Sequence, residues 1–278
     1  MKRILLVIML AFSAIICKAQ PKSVAIVTKN APSKYTQEYF QKYFDDLNIE
    51  GSITIYDYKN KKWFYSDKKD SEKRTLPAST FKIPNSLISI EEYAVKDENE
   101  VLKWDGVIRE IPSHNADTDL KTAYKNSTVW FHREMSRRVG INKYKKYLKE
   151  FSYGNQNLSG KADYFWLDNT LVISPAEQIN FLKGLYEEKY SFSKRTYDIV
   201  KNVMIERETD TYILRAKTGY GIVGTLDIGW YVGYVQTKDN VYFFATRLSQ
   251  DVPNKNNDFI NLRKTVTFNI LQDMGIIQ

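Results

Sequence analysis

A serine and a lysine three residues apart, Ser79 and Lys82, lie within Leu76-Pro77-Ala78-Ser79-Thr80-Phe81-Lys82-Ile83-Pro84, and that spacing can build a nucleophile. On a helix, residues i and i+3 share one face with their Cβ atoms about 5–6 Å apart, so the amine reaches the hydroxyl. A serine is a weak nucleophile at neutral pH and needs an adjacent base. A lysine is such a base only when uncharged, and burial lowers its pKa by up to about 3–5 units. Leu76, Pro77, Ala78, Phe81 and Ile83 supply an apolar wrapper. Two further copies of the spacing, Ser66-x-x-Lys69 and Ser191-x-x-Lys194, lie in polar, charged runs. Their lysines are expected to stay solvated and protonated, near the ordinary value of about 10.4. Taken alone, Ser79 and Lys82 read first as a helix start, with the serine as N-cap and the lysine at its first exposed turn.

Two more groups could join them. Ser127-Thr128-Val129 opens a predicted helix, where Ser127 by itself reads as an N-cap. Lys217-Thr218-Gly219 falls where a predicted strand ends, and Gly219 and Gly221 would leave its edge bare for a ligand to approach the backbone. Tyr153-Gly154-Asn155 reads first as a turn after a helix, with a structural place at the pocket edge. The two histidines, His114 and His132, occur without a His-Glu-x-x-His pattern or a cysteine cluster, so no metal site is expected. Each reads as a surface or partly buried structural residue.

The elements that must position these groups follow from periodicity. Residues 39–47 form an amphipathic helix with Phe40, Phe44 and Leu47 on one stripe, ended by Gly51. Residues 52–58 and 61–65 read as a β-hairpin. From Ser79 to about residue 205 the pattern is mainly helical, with helices over 127–139 and from Ile141 through Phe151. Ser174-Pro175-Ala176-Glu177 is a capping box that starts a helix running to Tyr186. Strands return at 212–218, 227–236 and 241–248, and a helix over 258–274 closes the chain. The expected fold is α+β: an antiparallel sheet (residues 20–75 and 206–278) covered by the terminal helices, with a helical lobe (76–205) inserted. No internal repeat or low-complexity linker divides residues 20–278, which read as one catalytic domain.

The chain has 278 residues, 43% of them hydrophobic, enough for a substantial core. Its first segment reads as an export signal, residues 1–19. Lys2-Arg3 precede an apolar stretch from Ile4 to Ile16, and small residues come before a cut ahead of Gln20. The stretch is short for a bilayer span, which takes about 20 residues, so no stable membrane association is expected after cleavage. The alternative of a lipidated Cys17 is disfavoured by the bulky Ile16 before it. Cys17 is the only cysteine, so a mature protein without disulfides must rely on its core. Loss of Lys2, Arg3 and Lys18 lowers the formal net charge of +8 by three. No basic run interleaved with aromatics suggests nucleic acid, and a mildly positive cleft suits small anionic substrates.

Ser79-x-x-Lys82, Ser127-x-Val129, Tyr153-Gly154-Asn155, Phe165-Trp166-Leu167 and Lys217-Thr218-Gly219, in this order, resemble the class D (oxacillinase-type) serine β-lactamases. So do Pro77-Ala78, Ile83-Pro84-Asn85, Lys103-Trp104-Asp105-Gly106 and Asp227-Ile228-Gly229-Trp230. Class A would need Ser-x-Asn and Glu-x-x-Leu-Asn; the one Leu-Asn, at 47–48, lacks the glutamate. Ser113-His114-Asn115 and Tyr124-Lys125-Asn126 mimic class A and class C motifs outside the right register.

The resemblance implies the serine β-lactamase/penicillin-binding-protein-like fold and hydrolysis of penicillin-type β-lactams. It also assigns roles. Ser79 would form the acyl-enzyme, and Lys82, carboxylated by CO2 to N6-carboxylysine, would be general base for both half-reactions. Trp166 would donate to that group, and Val129, Phe81 and Leu167 would keep the pocket dry. Ser127 would relay a proton to the ring nitrogen, and the backbone N–H groups of Ser79 and Tyr220 would form the oxyanion hole. Lys217, Thr218, Gly219 and Arg263 would bind the substrate, with Arg247 a rival to Arg263 for its carboxylate. No cofactor beyond CO2 or bicarbonate is implied. Two rival functions share the motifs: a β-lactam sensor that stays acylated, and a cell-wall D,D-transpeptidase or carboxypeptidase.

Overall fold

The computed structural model describes residues 34–251 and 258–278; the export signal expected at 1–19 lies outside them. Among the described residues, six strands build one antiparallel sheet. They are β1 (Glu50–Asp57), β2 (Lys62–Tyr65), β3 (Ile205–Glu208), β4 (Tyr212–Val223), β5 (Leu226–Thr237) and β6 (Val241–Asp251), in the spatial order β2-β1-β6-β5-β4-β3. The central strands are buried on both faces, so their side chains serve two cores by period-2 alternation. Tyr231, Val235, Phe244 and Leu248 pack with Phe40 and Phe44 of α1 (Gln37–Asp45) and with Phe259, Val266 and Ile270 of α9 (Phe259–Asp273). Trp230, Val232, Tyr234, Phe243 and Ala245 face the other way, into the core shared with the helical part of the chain.

That part consists of α3 (Lys82–Glu91), α4 (Leu120–Asn126), α5 (Val129–Val139), α6 (Ile141–Phe151), α7 (Pro175–Tyr186) and α8 (Lys194–Val203), with a short α2 (Lys68–Glu72) ahead of it. Local chemistry starts several of them. Thr36 Oγ1 accepts from Tyr39 N–H at 3.2 Å, and Asp119 Oδ1 accepts from Thr122 N–H at 2.7 Å. The expected capping box forms, with Glu177 returning a bond to Ser174 N–H at 2.9 Å. The sheet and helical elements thus match the α+β expectation.

Three expectations need correction. Gly51 does not end α1 but lies in β1, where a Cβ would come within 2.8 Å of the Arg247 carbonyl oxygen. The helix expected over 127–139 begins at Val129. Ser127 instead closes α4 in the left-handed region, at φ +57°. The strand carrying Lys217 does not end at Thr218. It continues to Val223 and pairs with β5 throughout, Gly219 opposite Trp230 and Tyr220 opposite Gly229. Its other edge is open near Lys217 because β3 pairs only with Ile213, Leu214 and Arg215. That short strand escaped the sequence pattern because Ile205-Glu206-Arg207-Glu208 has one apolar residue and is mostly exposed.

The turn at Tyr153-Gly154-Asn155 ties the segment after α6 to the start of α7. Asn155 N–H donates to the Val172 carbonyl at 3.0 Å, and its side chain bonds Thr170 O at 2.9 Å and Val172 N–H at 3.1 Å. Ile173 then pairs with Thr75, just ahead of the Ser79 turn. Gly154 has φ +53°, and a Cβ there would lie 2.0 Å from the Val172 carbonyl oxygen. Gly154→Ala is therefore expected to lower folding stability by about 1–3 kcal/mol, seen as a lower urea midpoint at unchanged m-value.

Candidate active site

Ser79 lies in a 3-10 turn, Ala78–Phe81, that runs directly into α3. The turn is fixed from several sides. Ala78, at φ +47°, donates its N–H to the Trp166 carbonyl at 3.1 Å. Trp230 Nε1 donates to Leu76 O at 2.9 Å. Gln178 Nε2 donates to Thr80 Oγ1 at 2.7 Å, and Thr80 Oγ1 donates to Pro77 O at 2.7 Å. A left-handed backbone at a β-carbon-bearing residue costs on the order of 1–3 kcal/mol and persists only where surroundings over-determine it. Both Ala78 and Ser127 are such positions, and both adjoin or carry a site hydroxyl.

Lys82 Nζ donates to Ser79 Oγ at 2.9 Å. The lysine is 1% exposed, and burial alone pushes its pKa down to about 7. Such an amine is neutral for a large fraction of the time at physiological pH. The decoys differ as the sequence suggested. Ser66 Oγ is occupied by the Ile53 N–H at 2.9 Å, and Lys194 is exposed and held above its ordinary pKa by Asp198.

A second hydroxyl–amine pair forms across the cleft. Lys217 Nζ donates to Ser127 Oγ at 2.6 Å and is within 3.2 Å of Thr218 Oγ1. Burial holds the Lys217 amine well below its ordinary range, and the charges of Lys82 and Arg263 act in the same direction. The glycines of β4 explain how the two pairs meet. A Cβ on Gly219 would stand 3.1 Å from both Pro77 O and Thr80 Cγ2, and one on Gly221 would stand 2.7 Å from Leu76 Cδ1. Gly219 and Gly221 thus let β4 press against the Ser79 turn.

Arg263, from α9, donates to the Gly219 carbonyl at 2.5 Å. It is buried, with desolvation lowering its pKa to about 10, so it remains a cation beside β4. Arg247, the rival, is engaged elsewhere, donating to Lys73 O at 2.7 Å and pairing with Asp70. Trp166 is 1% exposed and stacks on Phe81 with ring centroids 5.2 Å apart. Its indole Nε1–H is buried without a hydrogen-bond partner. Val129 is half-buried rather than a core residue, and Tyr220 is 36% exposed. The arrangement offers two hydroxyls, each bonded to a buried amine, with a guanidinium at the strand edge.

Residues 30–271 match the penicillin-binding-protein transpeptidase domain family. The chain is 40% identical to Beta-lactamase OXA-48 of Klebsiella pneumoniae over 96% of this chain and 98% of that one. It is 36% identical to Beta-lactamase OXA-10 of Pseudomonas aeruginosa over 96% and 97%. Among solved structures, a class D β-lactamase from Sebaldella termitidis superposes with a TM-score of 0.83. That chain is 52% identical, with 86% of this chain and 96% of that one covered. The chain belongs to the class D β-lactamases. It is a serine β-lactam hydrolase of the penicillin-binding-protein-like fold.

Both histidines of this class D enzyme, read from the sequence as surface or partly buried, are buried, His114 at 5% and His132 at 0% exposure. His132 was legible only as a helical spacing: it follows Val129 by three residues, as Asn85 follows Lys82.

The lowered Lys82 pKa is a statement about stability. The unfolded chain protonates near 10.5 and the folded one near 7, so between those values the unfolded state binds more protons and stability rises with pH. One such group contributes a slope of up to about 1.4 kcal/mol per pH unit. Lys82→Met should flatten the dependence by about that amount, measured as urea stability from pH 7 to pH 9 in CO2-free buffer against the wild type.

Proposed function

We propose that the enzyme opens the β-lactam amide through an acyl-enzyme on Ser79, with Lys82 as general base in both acylation and deacylation. The observation that carries this reading is the 2.9 Å contact between Ser79 Oγ and an amine buried deeply enough to be neutral near pH 7. An uncharged, desolvated amine is also the form that adds to CO2. Its nitrogen bonds to the carbon, a C=O electron pair moves to oxygen, and one N–H proton leaves, giving N6-carboxylysine. The surroundings fit that modification. Trp166 offers a buried N–H with no partner, a donor suited to a carboxylate oxygen, and Phe81 and Leu167 add apolar wall.

In this reading Lys82, carried as its N6-carboxylate, takes the Ser79 proton as Oγ attacks the lactam carbonyl. The developing oxyanion is held by the backbone N–H groups of Ser79 and Tyr220, each worth about 10²–10³ in rate. Ser127 delivers a proton to the departing ring nitrogen and is replenished through Lys217, the donor to its Oγ. Lys217, Thr218 and Arg263 hold the substrate carboxylate by charge-assisted hydrogen bonds, beside the backbone of Gly219. Val129 borders the base. Lys82 then activates water for deacylation, and turnover follows. The mature chain, residues 20–278, acts as one exported, periplasmic domain that confers β-lactam resistance. Among the described residues no helix is long and apolar enough to cross a membrane.

Deacylation separates a hydrolase from a sensor or a transpeptidase, and each tenfold in that step is only about 1.4 kcal/mol of barrier. Steady-state hydrolysis of a chromogenic cephalosporin should show continuous turnover that increases with added bicarbonate. Lys82→Ala should lower turnover by about 10²–10⁴-fold and slow both the appearance and the loss of the acyl adduct on Ser79, followed by intact mass over time. A single stoichiometric burst from the wild type would support the sensor, and unchanged turnover in Lys82→Ala would remove Lys82 as the base.

A further inference from the structure

His114 reaches from the loop ahead of α4 to the backbone beside Ser127. That loop is pinned at its base, where Leu102 and Thr118 exchange backbone hydrogen bonds at 2.9 and 3.2 Å. Among the described residues between that pair, His114 alone is buried, while Val107, Ile108 and Ile111 are exposed. His114 ends a short 3-10 turn, Pro112–His114, and its imidazole Nε2 lies 2.9 Å from the Asn126 carbonyl oxygen. A carbonyl only accepts, so Nε2 carries the proton and donates, in the neutral and in the charged ring alike. The His114 carbonyl in turn accepts from Trp130 Nε1 at 2.8 Å, in the first turn of α5. One residue thus bonds the last residue of α4 through its side chain and the start of α5 through its backbone, and Ser127 lies between the two.

Ser127 needs such support. Its N–H donates to Tyr124 O at 3.2 Å and the Thr128 N–H donates to Ala123 O at 2.8 Å, a pair of bonds that closes a helix around a left-handed residue. That residue is usually glycine, and here it is a serine at φ +57°. The next hydroxyl gives no help: Thr128 precedes α5 without capping it, and its Oγ1 is buried with no hydrogen-bond partner. The Asn126–Ser127 peptide is planar, so turning it changes φ of Ser127 and swings the serine Cβ. Tyr124 holds its N–H end. Its carbonyl end, among the last carbonyls of α4 and so without a partner inside the helix, is held by His114. With both ends fixed, Ser127 Oγ stays where Lys217 Nζ reaches it at 2.6 Å.

We propose that His114 is a positioning residue for Ser127: by holding the Asn126 carbonyl, its Nε2–H keeps the serine in the left-handed backbone that brings Oγ to Lys217. The inference rests on the reading of Ser127 as the group that protonates the departing ring nitrogen. In that reading Ser127 acts while the lactam C–N bond breaks and has no part in the later attack of water. His114 therefore governs acylation and leaves deacylation alone, and it acts only through the backbone of Ser127.

The test mixes the mature enzyme rapidly with a penicillin and reads acylation and deacylation separately, by acid quench and intact mass. His114→Phe keeps a ring and loses the donor. It should slow acylation by about 10–10²-fold, the scale of a displaced catalytic group, with deacylation unchanged. His114→Asn, polar but too short to reach the carbonyl, should do the same, and His114→Gln, whose Nε2 can stand near the histidine Nε2 position, should restore acylation. A role confined to folding would neither follow that order nor separate the two steps. In a Ser127→Ala background, His114→Phe should slow acylation no further, because the hydroxyl it positions is gone. Equal loss in both steps, no difference between His114→Gln and His114→Asn, or the same fold loss with and without the Ser127 hydroxyl overturns this inference alone. Unchanged acylation in Ser127→Ala overturns the reading of Ser127 as well.

Discussion

The Lys82 side chain enters the interior with the Ser79 hydroxyl as its hydrogen-bond partner, and no carboxylate is among the causes of its pKa shift. A charge left there would be paid for at several kcal/mol, so the amine gives up its proton instead. That single preference places an amine of lowered pKa against the Ser79 hydroxyl. The buried surroundings thus set the protonation state of the amine that hydrogen-bonds Ser79.

The same logic spreads through the site. Lys217 is buried as well, and its charge and that of Lys82 oppose each other, while Arg263 stays a cation at the edge of β4. A cluster of cation-forming groups with few acids nearby is an unfavourable thing to fold, and it is complementary to an anionic ligand. Strain is placed alongside: Ala78 and Ser127 both hold left-handed backbone angles. The two cores on either side of the sheet supply the stability that tolerates both, as expected of a site that trades stability for activity.

Geometry between the two hydroxyl–amine pairs is governed by backbone approach. The β4 strand lies against the Ser79 turn because Gly219 and Gly221 have no side chain to hold them apart, and its edge is accessible there because β3 stops short. The same strand carries the Lys217 amine to Ser127 and its Gly219 carbonyl to Arg263. One strand therefore connects a helix terminus, a 3-10 turn and the C-terminal helix into a single cleft.

By itself the sequence determined which residue types were available and on which periodic elements they lie. Ser79 and Lys82 at helical spacing inside an apolar wrapper, the capping box at Ser174, and the alternating strands and amphipathic helices are all encoded within a few residues of each other, and local patterns are readable. Tertiary structure decided what depends on residues far apart in the chain. Ser127 reads locally as an N-cap, yet packing places it in a left-handed turn facing Lys217, ninety positions away. His132 reads as a surface or partly buried histidine, yet packing buries it completely and sets Asn85 beside its ring. Burial is a property of the whole assembly of helices and sheet, and burial is what lowers the pKa of the Lys82 amine.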